Sequence, residues 1–185
     1  LIWERIMNAL LHNPPVLGIA AWSGTGKTTL LKQVLPLLRA QRLRVGMLKH
    51  AHHEFDIDHP GKDSYELRKA GAAQMLVASS RRWALMVEAP VEGDVSLWDM
   101  LAQLERDALD LILVEGFKHE RFPKLELHRA AVGKPLLFPD DDAIIALACD
   151  TPVATVLPVL DLNDAEAVAA FIVTYCRNDI DPTGL

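Results

Sequence analysis

The sequence is poor in cysteine: Cys149 and Cys176 are its only two, and neither stands in a Cys-x-x-Cys pair. Two isolated cysteines read as reduced thiols packed in the core of a cytoplasmic protein. Long apolar runs are also missing. The longest are strand-sized, well short of the ~20 residues that span a bilayer, so no membrane partner is expected. Positive charge is not in excess either, with 25 acidic residues against 19 basic ones, a net charge of −6 and a pI near 5.6. That balance argues against nucleic acid and against an anionic membrane surface, and any phosphate binding must come from a local site. No repeat and no low-complexity stretch interrupts the chain. The first residues, LIWERIMNALLHNPP, carry Glu4 and Arg5 and lack a small-residue cleavage pattern, so they do not read as a secretory signal. Near-helical spacing of Leu1, Ile2, Ile6, Met7 and Leu10 predicts a short helix ending before Pro14-Pro15. Residues 1–15 are therefore taken as an extension and residues 178–185 as a frayed tail, leaving 16–177 as one domain.

What is present alternates between strand-like and helix-like segments. Val16–Trp22 reads as a strand. Lys27–Gln41 reads as a helix with Leu30, Leu31, Val34, Leu35 and Leu38 on one side and a kink or early end expected at Pro36. Arg44–Ala51 is a second strand, 52–62 a loop, and Asp63–Ala70 a short helix closed by Gly71. Gln74–Ser79 and Trp83–Glu88 suggest a hairpin, Val95–Arg106 a helix, and Leu109–Val114 a strand buried on both faces. Lys124–Arg129 alternates within a charged stretch, and Ala143–Cys149 is another buried strand. Asn163 with Glu166 fits a capping box for a last helix. The order implies an α/β fold, three-layered, with a mainly parallel central sheet and helices on both faces. Ligands of such sheets sit beyond the carboxyl ends of the strands.

At the end of the first strand stands Ala21-Trp22-Ser23-Gly24-Thr25-Gly26-Lys27-Thr28. This is the phosphate-loop pattern Gly-x-x-x-x-Gly-Lys-Ser/Thr with Ala in the first place, between a strand and a helix as the chemistry requires. Backbone N–H groups of Gly24 through Thr28 would converge on a β-phosphate, Lys27 would bridge β- and γ-phosphates, the Thr28 hydroxyl would bind Mg²⁺, and Thr29 would reach the α-phosphate. Ser23 and Thr25 complete the loop. The metal side calls for a carboxylate at a strand end. Glu115 ends the run LDLILVEG, whereas Asp110 begins it at the wrong edge, so Glu115 is chosen as the Mg²⁺ or water-positioning acid. Gly116 would let its N–H approach a γ-phosphate. Asp63 reads either as a helix N-cap or as a further metal or water ligand, two roles that are compatible. The candidate catalytic set is thus Lys27, Glu115 and Asp63, and the metal set is Thr28, Glu115 and Asp63.

Two further groups of residues stand out. His50, His52 and His53 follow the second strand, and in one reading they are Zn²⁺ or Ni²⁺ ligands of a metallochaperone. The competing reading is a phosphate or partner contact, or a solvated loop. Residues 118–134 carry Lys118, His119, Arg121, Lys124, Arg129 and Lys134, the composition of a basic lid in a small-molecule kinase, against the alternative of a solvated face with Glu120 and Glu126 interleaved.

Four segments in order, AAWSGTGKTTLLK at 20–32, GMLKHAHH at 46–53, PGKDSYELRKAGA at 60–72 and LDLILVEGFKHE at 109–120, resemble the molybdopterin-guanine dinucleotide biosynthesis protein B (MobB) family. WALMVE at 83–88 and LDLNDAEAVAAF at 160–171 extend the likeness over nearly all of Val16–Cys176. The resemblance implies a P-loop GTP-binding protein that hydrolyses GTP slowly, forms a homodimer and works beside the molybdopterin guanylyltransferase, with molybdopterin or its dinucleotide as a further ligand. It implies Gly24, Gly26, Lys27, Thr28 and Thr29 as phosphate-binding residues. No Asn/Thr-Lys-x-Asp motif occurs, so guanine preference rests on the resemblance. Asp150, after the Ala143–Cys149 strand, is the chosen base-contacting acid and Asp161 a second candidate; both also suit ordinary turns. No water-positioning Gln or arginine finger is identifiable, in keeping with slow turnover, and Arg68, Arg81 and Arg82 are available for a role in trans. An adaptor that binds nucleotide without turnover is the remaining alternative.

Overall fold

Val16, Leu17 and Ile19 alternate between the two faces of a single strand, β1 (Val16–Ala20), and all three are buried. Burial on both faces is the signature of a parallel sheet covered by helices. The computed structural model describes Leu11 and residues 13–51, 55–88 and 95–177. The predicted helix within 1–15 and the tail at 178–185 lie outside them. The chain divides into two compact units, one formed by Ala51–Val95 and the other by the residues before and after it.

The larger unit contains β1, α1 (Lys27–Ala40), β2 (Val45–Lys49), a short α3 (Leu97–Leu101), β5 (Leu111–Glu115), β6 (Lys124–His128), β7 (Ile144–Cys149), β8 (Val159–Asp161) and α4 (Ala165–Cys176). Its six strands run in the order β2-β5-β1-β6-β7-β8, and every pairing is parallel. Leu17, Ile19, Leu111, Leu113, Leu125 and Leu127 face α1 and α4, whose Leu31, Val34, Leu38, Val168 and Ile172 complete that core. Val16, Ile112 and Val114 face the opposite way, onto Leu97, Leu101, Phe117 and Phe122. The period-2 switch between neighbours Leu111 and Ile112 thus feeds two separate apolar layers. Tyr175 ties the last helix to the first strand by donating its hydroxyl to the Val16 carbonyl at 2.7 Å.

Helix α1 runs through Pro36 to Ala40 rather than ending early. Leu38, beyond the proline, is fully buried. Burying a leucine is worth about 2 kcal/mol, which offsets the one backbone bond that proline removes. The helix expected over Val95–Arg106 shrinks to α3 and is followed by a separate 3₁₀ turn at Arg106–Ala108. The alternating stretch at 124–129 forms an inner strand: β6 lies between β1 and β7, with Lys124 3% and Glu126 0% exposed. The last helix is capped by Asp164, whose carboxylate accepts from Ala167 N at 2.9 Å, and not by Asn163. Among the described residues no helix is long and apolar enough to cross a membrane.

The smaller unit holds α2 (Asp63–Lys69) and the antiparallel hairpin β3 (Gln74–Ala78) and β4 (Trp83–Val87). Lys62, not Asp63, is the N-cap of α2, and Asp63 is its first helical residue. The buried Arg68 guanidinium binds the carboxylates of Asp56, Asp58 and Glu88. The outer face of the hairpin presents Leu76, Trp83, Leu85 and Val87 to solvent.

Candidate functional site

Between β1 and α1 the chain turns through two left-handed glycines, Gly24 at φ +84° and Gly26 at φ +100°. Gly26 is the N-cap of α1, and the first intrahelical bond runs from Leu30 N to Gly26 O at 3.0 Å. No side chain caps this helix and no acidic residue occupies its first turn. The amino end of a 14-residue helix is therefore left with its N–H groups and positive dipole end directed at whatever occupies the loop. Thr25 is buried and closes the loop on itself, its hydroxyl donating to Trp22 O at 2.8 Å. Ser23, Thr28 and Thr29 are exposed.

Strand register brings the acid to this loop. Glu115 is the last residue of β5 and pairs with Ile19 of β1 on one side and Lys49 of β2 on the other. Its carboxylate oxygens lie 3.9 Å from Lys27 Nζ and 3.8 Å from Lys49 Nζ. Lys27 also donates to Ala21 O at 3.3 Å. Burial pushes the Lys27 ammonium pKa down; Glu115 opposes that shift, while Lys118 and Lys49 add to it. Next to Glu115, Gly116 takes φ +101° and packs on His50, which donates its backbone N–H to Glu115 O at 2.8 Å. The His50 ring stacks on Phe117 with centroids 4.6 Å apart. Lys27, Glu115, Gly116 and the glycine loop, chosen from sequence, thus converge at the carboxyl ends of β1, β2 and β5. Asp63 stands in the other unit. His52 and His53 lie outside the described residues, and among the described residues no group of three or more His, Cys, Asp or Glu side chains is gathered to hold a metal.

A second side of the loop is formed by Arg129, one of the basic residues singled out within 118–134. Arg129, the residue after β6, donates from Nε to Thr25 O at 3.2 Å and from Nη2 to Asn163 Oδ1 at 3.2 Å. Its Nη1 lies 3.6 Å from Asp150 Oδ2. The other Asp150 oxygen accepts from Ala130 N at 2.9 Å. Arg129 therefore ties the phosphate loop to the ends of β7 and β8. It borders a cleft of about 440 Å³ lined also by Gly24, Thr29, Gln33 and Asn163. Asp161 accepts from the Asn163 backbone and side-chain N–H groups. The sequence offered Arg129 as a cation of the 118–134 stretch and Asp150 as a strand-end acid, but not their pairing.

The cations of 118–134, read either as a basic lid or as a solvated face, are dispersed. Arg121 pairs with Asp142, and buried Lys124 donates to Asp141 and to Glu120 O. Glu126 is not on a solvated face: its buried carboxylate accepts from Leu137 N at 2.7 Å and Phe138 N at 2.9 Å.

Comparison with known proteins adds three kinds of likeness. The family model described as molybdopterin guanine dinucleotide synthesis protein B (MobB) matches residues 16–150. A molybdopterin-guanine dinucleotide biosynthesis adapter protein of Escherichia coli is 52% identical over 164 residues, covering 88% of this chain and 94% of that one. The protein of the same name from Haemophilus influenzae is 43% identical, covering 89% of this chain and 90% of the other. In structure, the crystal structure of a MobB protein homolog from Bacillus stearothermophilus superposes with a TM-score of 0.65 at 25% identity, covering 88% of this chain and 98% of that one.

Proposed function

This chain belongs to the MobB family, and from that premise we propose that it binds Mg²⁺·GTP in the Gly24–Thr29 loop and acts as an adapter in molybdopterin-guanine dinucleotide biosynthesis. The observation that carries the reading is the convergence of the uncapped amino end of α1, Lys27 and Glu115 at one edge of a parallel sheet. Backbone amides there suit the β-phosphate and Lys27 suits the β,γ-bridge. The Thr28 hydroxyl and Glu115 carboxylate are hard oxygen donors of the kind Mg²⁺ prefers, and they would hold it. Bound Mg²⁺ would neutralise charge on the terminal phosphates. In this reading Lys27 leaves Glu115 for the phosphates, freeing the carboxylate for the metal or the attacking water. Asp63 is proposed as a further acid on sequence grounds, and Asp150 as the acid that reads guanine. Turnover is slow, and the partner is the guanylyltransferase that joins the nucleotide to molybdopterin.

Residues 16–177 are read as the nucleotide-binding domain of a cytoplasmic homodimer. The apolar outer face of the β3–β4 hairpin supports a second copy as its cover. Equilibrium dialysis with GTP, with and without Mg²⁺, tests the metal assignment. Thr28→Ala and Glu115→Gln should each remove most of the Mg²⁺ dependence while leaving metal-free binding in place; variants that keep it would refute the assignment.

A further inference from the structure

Within 118–134 three cations make polar contacts to carboxylates or loop groups, and two lie against an aromatic ring. Arg121 faces Asp142, Lys124 faces Asp141, and Arg129 joins Thr25, Asn163 and Asp150. Lys118 and Lys134 are exposed and have no carboxylate partner among the described residues. Both instead come to one indole. Lys118 Nζ lies 5.3 Å and Lys134 Nζ 5.6 Å from the ring centroid of Trp22. That ring is held in place, because its Nε1 donates to the Pro135 carbonyl at 2.8 Å. Trp22 is the second residue of the phosphate loop, so the two ammonium groups are fixed beside the nucleotide site by a side chain of the loop itself.

Each ammonium gains a modest cation–π attraction, but two like charges at one ring also repel. Lys27 and Lys49 both approach the carboxylate of Glu115, and Lys118 acts on Lys27 as a like charge. Among the described residues the ion pairs at this side of the loop leave Lys118 and Lys134 without a carboxylate, in a chain whose net charge is −6. The nucleotide already has its own partners in the loop amides and Lys27. The indole holds Lys118 and Lys134 beside Pro135, and neither they nor Trp22 lines the cleft bordered by Arg129.

We propose that Trp22, Lys118 and Lys134 form a second anion subsite beside the phosphate loop, which takes the phosphate monoester group of a second ligand while the nucleotide is in place. The inference rests on the nucleotide reading above and extends it. A phosphate monoester carries about −1.5 to −2 charges near neutral pH and offers three acceptor oxygens, which suits two ammonium donors. A carboxylate, with one charge, would leave one of them uncompensated.

The test uses the full chain loaded with Mg²⁺ and a non-hydrolysable GTP analogue, so that the γ-phosphate position is filled. Inorganic phosphate is then titrated against a potassium chloride control of equal ionic strength, and indole fluorescence is read, with Trp22→Phe identifying the Trp22 component. A saturable change is expected. Lys118→Gln with Lys134→Gln should raise the half-saturation point at least ~10-fold, as expected for losing charge-assisted contacts, with nucleotide affinity held within ~2-fold. The paired Lys→Arg variant should keep the response. An absent response in the loaded wild type, or one unchanged in the double Gln variant, overturns the subsite. So does a parallel loss of nucleotide affinity, which would assign both lysines to the nucleotide. A wild type that binds no nucleotide refutes the nucleotide reading instead. The phosphate titration on the nucleotide-free Lys27→Ala chain then decides: a response lost with Lys118 and Lys134 supports the subsite, and none overturns it.

Discussion

Gly116 and His50 leave no room between them: a Cβ built on Gly116 would lie 2.6 Å from the Cβ of His50, on a backbone at φ +101°. Gly116→Ala must both strain the backbone and push His50 off Phe117. A left-handed non-glycine residue alone costs about 1–2 kcal/mol. With ~2–4 °C per kcal/mol for a chain of this size, thermal unfolding should show a fall of ~4 °C or more. Nucleotide affinity should fall with it, because Glu115 is the preceding residue. An unchanged melting temperature would refute the packing account.

Arg129 reaches the phosphate loop and two strand ends with one planar fork. Arg129→Ala should weaken nucleotide binding by ~10-fold, the scale of a charge-assisted hydrogen bond. Arg129→Lys should recover little, since a single ammonium cannot address three directions. Calorimetric binding curves for the two variants check this; full recovery by lysine would reduce Arg129 to a bulk positive charge.

At the other edge of the sheet, hydrogen bonds from Arg44 hold the Asp110 carboxyl down at about 2. Its folded pKa lies below the unfolded value of about 3.9. The pair therefore adds stability above about pH 4 and loses it as pH falls toward 2. Arg44 is 58% exposed, so the amplitude should stay within about 1 kcal/mol. Denaturant midpoints of wild type and Asp110→Asn should converge over that interval; a constant difference would contradict the assignment.

Glu126 is fully buried and accepts two backbone N–H groups from the 137–138 segment. Glu126→Ala strands both donors, at about 1–3 kcal/mol each. Its chemical denaturation midpoint should drop accordingly, by more than that of the exposed-pair variant Asp110→Asn.

Leu76 and Leu85 face each other across the exposed side of the hairpin. Leu85→Lys should shift the chain from dimer to monomer in sedimentation velocity, with circular dichroism unchanged. A monomeric wild type would refute the dimer.

Much of this architecture was legible in the residues. Apolar runs at β1, β5 and β7 announced buried parallel strands, and the glycine pattern was placed correctly between β1 and α1. The position of Glu115 at the carboxyl end of β5 followed from the apolar run that precedes it. What stayed hidden depended on long-range neighbours. Lys124 and Glu126 look like surface charges until β6 is placed between β1 and β7, where Asp141 and the Leu137 and Phe138 amides answer them. The contacts of Arg129 with Thr25, Asn163 and Asp150 were hidden for the same reason. The capping-box spacing pointed to Asn163, and local geometry selects its neighbour Asp164 instead.

The central claim is a guanine nucleotide held through Lys27. Isothermal titration of the full chain with Mg²⁺·GTP and Mg²⁺·ATP, beside Lys27→Ala, tests it most directly. The account predicts tighter binding of GTP than of ATP and a loss of at least ~10-fold in the variant, whose site lacks the ammonium that meets the phosphates. Equal affinity for the two nucleotides, or a Lys27→Ala chain that binds GTP as the wild type does, would contradict it.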